Sequence, residues 1–495
     1  MFDNVRRVFR QSAVYGSGEA LVFAANFLLL PVFTRILEPV DYDALSMLLL
    51  LQAFLAPVNR LGLDEAYLRF YYECKDDDEK RTLTSTTGLF LGAANLCVLV
   101  LLVLGAPAVG ALLLIPGYVV AIRLLALNGF IAAFFVLPQG LMRARNQPGQ
   151  YARWMIVRAF GIVAARLVLV VGLRLGVLGM ILAEVIVSAV LFVGLARVVR
   201  GLVAWRFSRP LLRDLLRYGF PRTPYALLYQ TMGMSERYFL RRYLPDGSLG
   251  VYHVGANVVS ALRIYQDAIL RAWMPFAFET MRRPDAPRVL ARLATVAFAG
   301  LVLATLGLAV FAEPLIVLMT DPAYHGARAV APLLALGVAV QVVAVFLTTS
   351  LNIGKETRAL PRIAALAAVA TVAGSLVFIP RFGLVGGALA VGSGQLTLAI
   401  ATAVAAQRRY HIPYELSRLA RIALAGAVLY GAWTLVPPAG LLLTLVIRSA
   451  VVALFPVALI VVGVVDRDTL VQVRTLVERA RAGASRDSGR DGSGS

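Results

Sequence analysis

The chain has 495 residues, of which 59% are hydrophobic and only 15% charged, with a mean hydropathy of +0.77. Soluble domains run nearer about 45–50% apolar and about 25% charged, so this composition excludes a water-soluble core and makes lipid the solvent. The formal net charge is +20, yet the basic residues recur in short clusters between apolar runs, which excludes a nucleic-acid-binding stripe or tail and fits membrane topology.

In chain order, Arg6, Arg7 and Arg10 precede an apolar stretch near 12–34. Glu19 and Asn26 interrupt that stretch and no small-residue cleavage site follows, so it reads as a retained first helix and not as a signal peptide. Further runs long enough to cross about 30 Å of hydrocarbon lie near 42–61, 83–104, 118–140, 151–172 and 177–197. A second set lies near 219–240, 249–271, 290–312, 327–351, 361–379, 384–406, 419–436 and 440–464, giving about fourteen transmembrane helices. With the N-terminus inside, about 35 of the 48 Lys and Arg fall in the even-numbered loops and the two tails. Positively charged short loops stay cytoplasmic, so both termini are expected in the cytoplasm of a bacterial cell. The arginine-rich run from Arg197 to Arg222 joins helices 6 and 7 and divides the chain into halves.

The halves repeat one another. LRLGVLGMILAE (Leu173 to Glu184) resembles PRFGLVGGALAV (Pro380 to Val391) at an offset of 207 residues. Tyr15-Gly16 matches Tyr218-Gly219, and Arg35-Ile-Leu-Glu-Pro39 matches Arg242-Tyr-Leu-Pro245, in the same order. Six helices per repeat start both repeats on the same membrane side, giving parallel repeats about an axis along the membrane normal. The expected fold is therefore an all-α membrane protein, with two six-helix lobes around a central cavity and two extra C-terminal helices. The lobes cover 1–200 and 201–410, the extra helices 411–465, and a cytoplasmic tail 466–495 that is too rich in Gly, Ser and charge to order itself.

FLLLPVFTRILEPVDYDALS (Phe27 to Ser46), LGLDEAYLRFYYE (Leu61 to Glu73), ERYFLRRYLPDGSLGVYHVGAN (Glu236 to Asn257) and IPRFGLVGGALA (Ile379 to Ala390) carry a resemblance. They are similar to the polysaccharide flippases of the multidrug/oligosaccharidyl-lipid/polysaccharide (MOP) exporter superfamily, whose shared architecture is the MATE-like fold. Asp43 stands where that family usually has Gly, and Glu236 where it usually has Asp. The resemblance implies a flippase of the inner membrane that moves an undecaprenyl-pyrophosphate-linked oligosaccharide outward by alternating access, for lipopolysaccharide or other surface polysaccharide biosynthesis. It also implies glycosyltransferases and a polymerase as candidate partners. The alternatives are a lipid II flippase, or a multidrug cation exporter of the same superfamily.

A charge inside a span costs about 2.5–3.5 kcal/mol on insertion scales, so intramembrane charges usually face a cavity or a partner. Arg263, near the middle of helix 8, is the leading candidate for the pyrophosphate, because a guanidinium makes forked bonds to phosphate oxygens. Arg60 in helix 2 joins it by position in a pattern that resembles the luminal arginines of lipid II flippases. Helix 1 offers Glu19 instead of Arg, which points to another substrate. Glu19, Asn26 and Asp267 complete the expected polar lumen, with Glu19 a candidate for coupling to H+ or Na+, and Arg263 is also one turn from Asp267. Glu236 and Arg237, near the outer end of helix 7, are gate candidates, whereas Glu184, Arg158 and Arg166 suggest an ion pair within one lobe.

Other chemistries find little support. His253, His325 and His411 stand far apart and Cys74 and Cys97 lie in a loop and a helix, so neither a metal site nor a disulfide framework is expected. Gly16-Ser-Gly18 lies in a membrane helix and no Walker A sequence occurs, so no nucleotide cofactor is expected. Asp76 to Lys80 reads as a solvated charge run. A polymerase, ligase or glycosyltransferase would need a long outer loop for catalysis, while the outer loops here span at most about fifteen residues; the chain reads as no enzyme.

Overall fold

Apolar runs in lipid have no water to bond their backbone, so they satisfy it within helices. The computed structural model describes residues 27–464 except 146, 282, 355–358, 408–410 and 437–439, and no strand occurs among them. The first half comprises α1 (Leu30–Thr34), α2 (Pro39–Arg60), α3 (Leu63–Glu73), α4 (Asp77–Leu112), α5 (Val119–Ala133), α6 (Val136–Ala144), α7 (Pro148–Arg166) and α8 (Gly176–Val199). The second comprises α9 (Arg209–Gly219), α10 (Arg222–Met234), α11 (Glu236–Tyr243), α12 (Ser248–Val259), α13 (Ala261–Thr280), α14 (Ala286–Met319), α15 (Ala331–Ile353) and α16 (Ala359–Gln407). Two more, α17 (Leu416–Thr434) and α18 (Leu441–Val461), follow.

Nine helical segments among the described residues are long and apolar enough to cross a membrane. α16 counts once among them, although it breaks at Gly383 and takes up both spans expected at 361–379 and 384–406. The span expected at 12–34 lies mostly outside the described residues, that at 419–436 is α17 and falls outside the nine, and so do those at 219–240 and 249–271. The last two are built from α10 with α11 and from α12 with α13, and they carry Glu236, Arg237 and Arg263, which lower their hydropathy.

The repeat is visible in the backbone. Gly176 and Gly383, aligned in the two matching strings, both adopt positive φ, +56° and +57°. That conformation carries no steric cost only for glycine. Three residues beyond each, Gly179 and Gly386 lie against the backbone of Leu169 and Phe378 respectively, where a Cβ would crowd the chain.

Two segments differ from the sequence expectation. Residues after helix 2, read as a loop, form the helix α3, which follows the left-handed pair Leu61 and Gly62 at the end of α2. The arginine-rich connection contains the helix α9, started by Ser208, whose hydroxyl accepts from Leu211 N at 3.4 Å. The acidic run likewise serves its own helix. Asp76 caps α4 by accepting from Glu79 N at 2.8 Å, and acidic residues fill the first turn, where the helix dipole favours them.

The fold divides into two compact units: Met1–Pro284 with Ala312–His411, and Asp285–Phe311 with Ile412–Ser495. The two C-terminal helices, expected as an appendage, therefore group with the first part of α14. In that second unit Leu306, Val310, Ile422 and Phe455 form an apolar cluster. Arg448 is buried there, donating to Val310 O at 3.0 Å with its guanidinium 4.5 Å from the Trp433 ring centroid.

Candidate functional site: the junction of the two repeats

α2 runs from Pro39 to Arg60, so its two ends mark opposite ends of the first repeat: one carries Asp43, the other lies beside the arginine-rich connections. The repeats touch at both.

At the Asp43 end the N-termini of α2 and α12 meet. α12 is preceded by its cap residue Gly247, at φ +88°, and its first N–H groups have no partner within their own helix. Asp43 of the other repeat supplies one: its carboxylate accepts from Gly247 N and from Gly250 N, each at 2.6 Å. Arg241 donates to the same carboxylate at 3.2 Å and to Leu114 O at 3.4 Å. The Asp43 side chain is only 1% exposed, so this is a buried, charge-assisted latch. Gly250 is required there, since a Cβ would run into Pro39 O and lie 2.9 Å from Tyr42 Cβ. Nearby, the Tyr324 hydroxyl donates to Leu37 O at 2.6 Å, and the Tyr42 ring packs on those of Tyr324 and His253 with centroids 5.3 and 5.8 Å apart.

At the arginine-rich end the contacts are of another kind. Gly62 and Gly219 approach backbone to backbone, a Cβ on Gly219 falling 2.6 Å from Gly62 O. Around them, Arg222 lies 3.5 Å from Glu65, and the Arg69 guanidinium sits 4.6 Å from the centre of the Tyr218 ring. The Arg222 and Glu65 side chains are 54% and 46% exposed, and pairs so solvated contribute about 0–1 kcal/mol.

Between the two ends lies a cavity of about 300 Å³ whose walls include Phe33, Tyr42, Arg166, His253, Asn257 and Ser260. Arg166 connects it to a polar network inside the first repeat. Glu184 of α8 pairs with Arg166 at 2.8 Å and accepts from Gln52 of α2 at 3.1 Å and Asn128 of α5 at 3.2 Å. The intralobe ion pair expected for Glu184 and Arg166 is thus present, and it joins four helices. Arg158 stands nearby within electrostatic reach of Glu184.

The sequence candidates separate in space. Arg60 lines a different cavity of about 350 Å³, inside the first repeat, together with Asn59, Asp64, Arg143 and Arg158. Its guanidinium lies 3.7 Å from Asp64. Arg263 is not among the walls of that cavity; it is exposed on α13 and acts electrostatically on Glu236 and Arg237. Glu236 is buried, Arg237 largely so, and they pair with each other at 3.9 Å; the bonds to the first repeat come from Arg241, one turn further on. Glu19 and Asn26 lie outside the described residues, as does the side chain of Asp267. Asp43 and Arg241 were not among the sequence candidates, although Asp43 stood out as a departure from the family's usual Gly.

The helical architecture, its repeat and its charged interior define a multi-pass membrane protein with a transporter fold. The chain belongs to the polysaccharide biosynthesis protein family, whose model matches residues 8–281. It is similar to the succinoglycan biosynthesis transport protein ExoT of Rhizobium meliloti (strain 1021), 27% identical over 336 residues, and the match covers 63% of each chain. Among solved structures it resembles the lipid II flippase MurJ in an inward closed conformation, with a TM-score of 0.73 at 12% identity, covering 90% of this chain and 98% of that one. It also resembles an inward-facing multidrug resistance MATE family transporter of the MOP superfamily, with a TM-score of 0.65 at 14% identity, covering 78% and 94%. The fold is that of the MOP superfamily.

Proposed function

We propose that this protein is a flippase that moves an undecaprenyl-pyrophosphate-linked oligosaccharide across the bacterial inner membrane by alternating access, for surface polysaccharide biosynthesis. Family membership supports the pathway and the likeness to ExoT supports the transport step. The observation that carries the reading is the unequal junction: a buried latch at the Asp43 end, and half-exposed pairs around a glycine contact at the other. Breaking the exposed pairs costs about 0–1 kcal/mol, whereas opening the other end also undoes the cap on α12, a contribution of about 0.5–2 kcal/mol. The arginine-rich end, cytoplasmic by the positive-inside rule, therefore opens more readily, which suits loading from the cytoplasm.

In this reading the lipid tail stays in the bilayer while the sugar passes between the lobes, 1–200 and 201–410. Arg60, in the first-repeat cavity, and Arg263, on α13, are separate contacts for the diphosphate along its path, Glu19, Asn26 and Asp267 extend the polar lumen, and Glu236 with Arg237 belongs to the gate. H+ or Na+ supplies the driving force, and glycosyltransferases and a polymerase work alongside. Replacing Arg263 with Ala and measuring surface polysaccharide tests the assignment of that residue: the variant, expressed at the normal level, loses export. Normal export would remove Arg263 from the mechanism.

A further inference from the structure

We propose that the cavity inside the first repeat is a binding site for a phosphoryl oxyanion, held by Arg60, Arg143 and Arg158. These residues come from α2, α6 and α7 and share the walls of one cavity of about 350 Å³, within the range of small-ligand pockets. The lining contains one carboxylate, Asp64, which lies 3.7 Å from Arg60. Among the described residues Arg143 has only a long ion pair, to Glu65 at 3.9 Å, and Glu65 is also engaged by Arg222 at 3.5 Å.

Arg158 is the decisive residue. Among the described residues it has no ion pair within 4 Å, and its Nε is buried without a hydrogen-bond partner, as is the Nε of Arg143. Glu184 attracts Arg158 while Arg60 and Arg166 repel it. Glu184 is already engaged by Arg166, Gln52 and Asn128. A buried donor left unmatched is costly, more so on a charged group. Three guanidinium groups around a cavity with one lining carboxylate leave an excess of positive charge, which excludes a cationic ligand and favours an anion. Forked donors on separate helices match the tetrahedral oxygens of a phosphoryl group. Asn59 and Asn128 add buried carbonyl oxygens without partners, acceptors for hydroxyls on the same ligand.

That this oxyanion is the diphosphate of a lipid-linked sugar rests on the flippase reading above; the site itself does not. The test is titration of inorganic pyrophosphate into the purified full chain in phosphatidylcholine nanodiscs, followed by calorimetry. The wild type binds saturably, Arg158→Gln weakens binding at least tenfold, Arg158→Lys retains part of it, and Arg381→Gln on α16 leaves it unchanged. Should Arg158→Gln fail to fold by gel filtration, Arg143→Gln on α6 carries the same expectation. Absence of saturable binding to the wild type, or unchanged affinity in both glutamine variants, overturns the site. Competition by phosphatidylglycerol added to the nanodisc supports the site with a lipid headgroup as its natural occupant; competition only by a polyprenyl diphosphate supports it with the transported lipid. No transport by the wild type, with its pyrophosphate binding intact, would contradict the flippase reading and leave the site standing, whereas binding lost in Arg158→Gln with transport intact would remove the site from transport.

Discussion

Asp43 and Arg241 meet at 3.2 Å across the boundary between the repeats, 198 residues apart in sequence, and the same carboxylate caps α12. A helix cap contributes about 0.5–2 kcal/mol, and about 1.4 kcal/mol is tenfold in a conformational equilibrium. Asp43→Ala is therefore expected to raise the population open at this end roughly tenfold. Spin labels at the exposed positions Val40 and Tyr243 report it as a new long-distance component; an unchanged distance distribution would deny the latch its role.

The two glycine contacts predict opposite effects from the same substitution. Gly250→Ala pushes α12 from α2 and opens the Asp43 end, while Gly62→Ala, strained at φ +68° and facing the Gly219 carbonyl, opens the arginine-rich end. Overpacking of this kind costs about 1–3 kcal/mol. Gly105→Ala, with nothing within 4 Å of the added methyl, is neutral or slightly stabilising, since Ala favours a helix interior over Gly. Alkylation of single cysteines placed at each end distinguishes the variants: equal accessibility in both would contradict the assignment.

Glu65→Ala separates a solvated contact from a buried one. Its pairs with Arg222 and Arg143 are long and partly exposed, so the substitution should change thermal stability by less than about 1 kcal/mol. A loss several times larger would mean that this end is held as firmly as the other.

Glu184→Ala removes the 2.8 Å ion-pair partner of Arg166 and the acceptor of Gln52 and Asn128. Removing one partner of a buried pair costs about 3–5 kcal/mol, so the unfolding midpoint in detergent falls by several degrees. Glu184→Gln, which keeps an acceptor oxygen, falls less. Identical midpoints for both variants would contradict the network.

How much of this was legible in the sequence follows from the range of each interaction. The repeat was legible because Gly176 and Gly383 serve the same local turn, and a local need leaves a local motif. The Glu184–Arg166 pair was legible because a charge in lipid demands a partner and few were within reach. The amphipathic helix α3 was missed because its charged residues resemble a loop when the partner helix α9 is unknown. Asp43 registered only as an unusual residue, since its partners lie about 200 residues away. Arg60 and Arg158 could not be placed together without knowing that α2, α5, α6 and α7 line one cavity.

The most direct test of the central claim is flipping by the purified protein in liposomes. A fluorescent undecaprenyl-pyrophosphate oligosaccharide is placed in both leaflets, and a membrane-impermeant quencher is added outside. With the driving ion gradient, the account predicts that the protected inner-leaflet signal declines in wild-type vesicles and persists in protein-free ones. Persistence of that signal at the protein-free level, with correctly folded protein in the vesicles and either ion gradient applied, would contradict it.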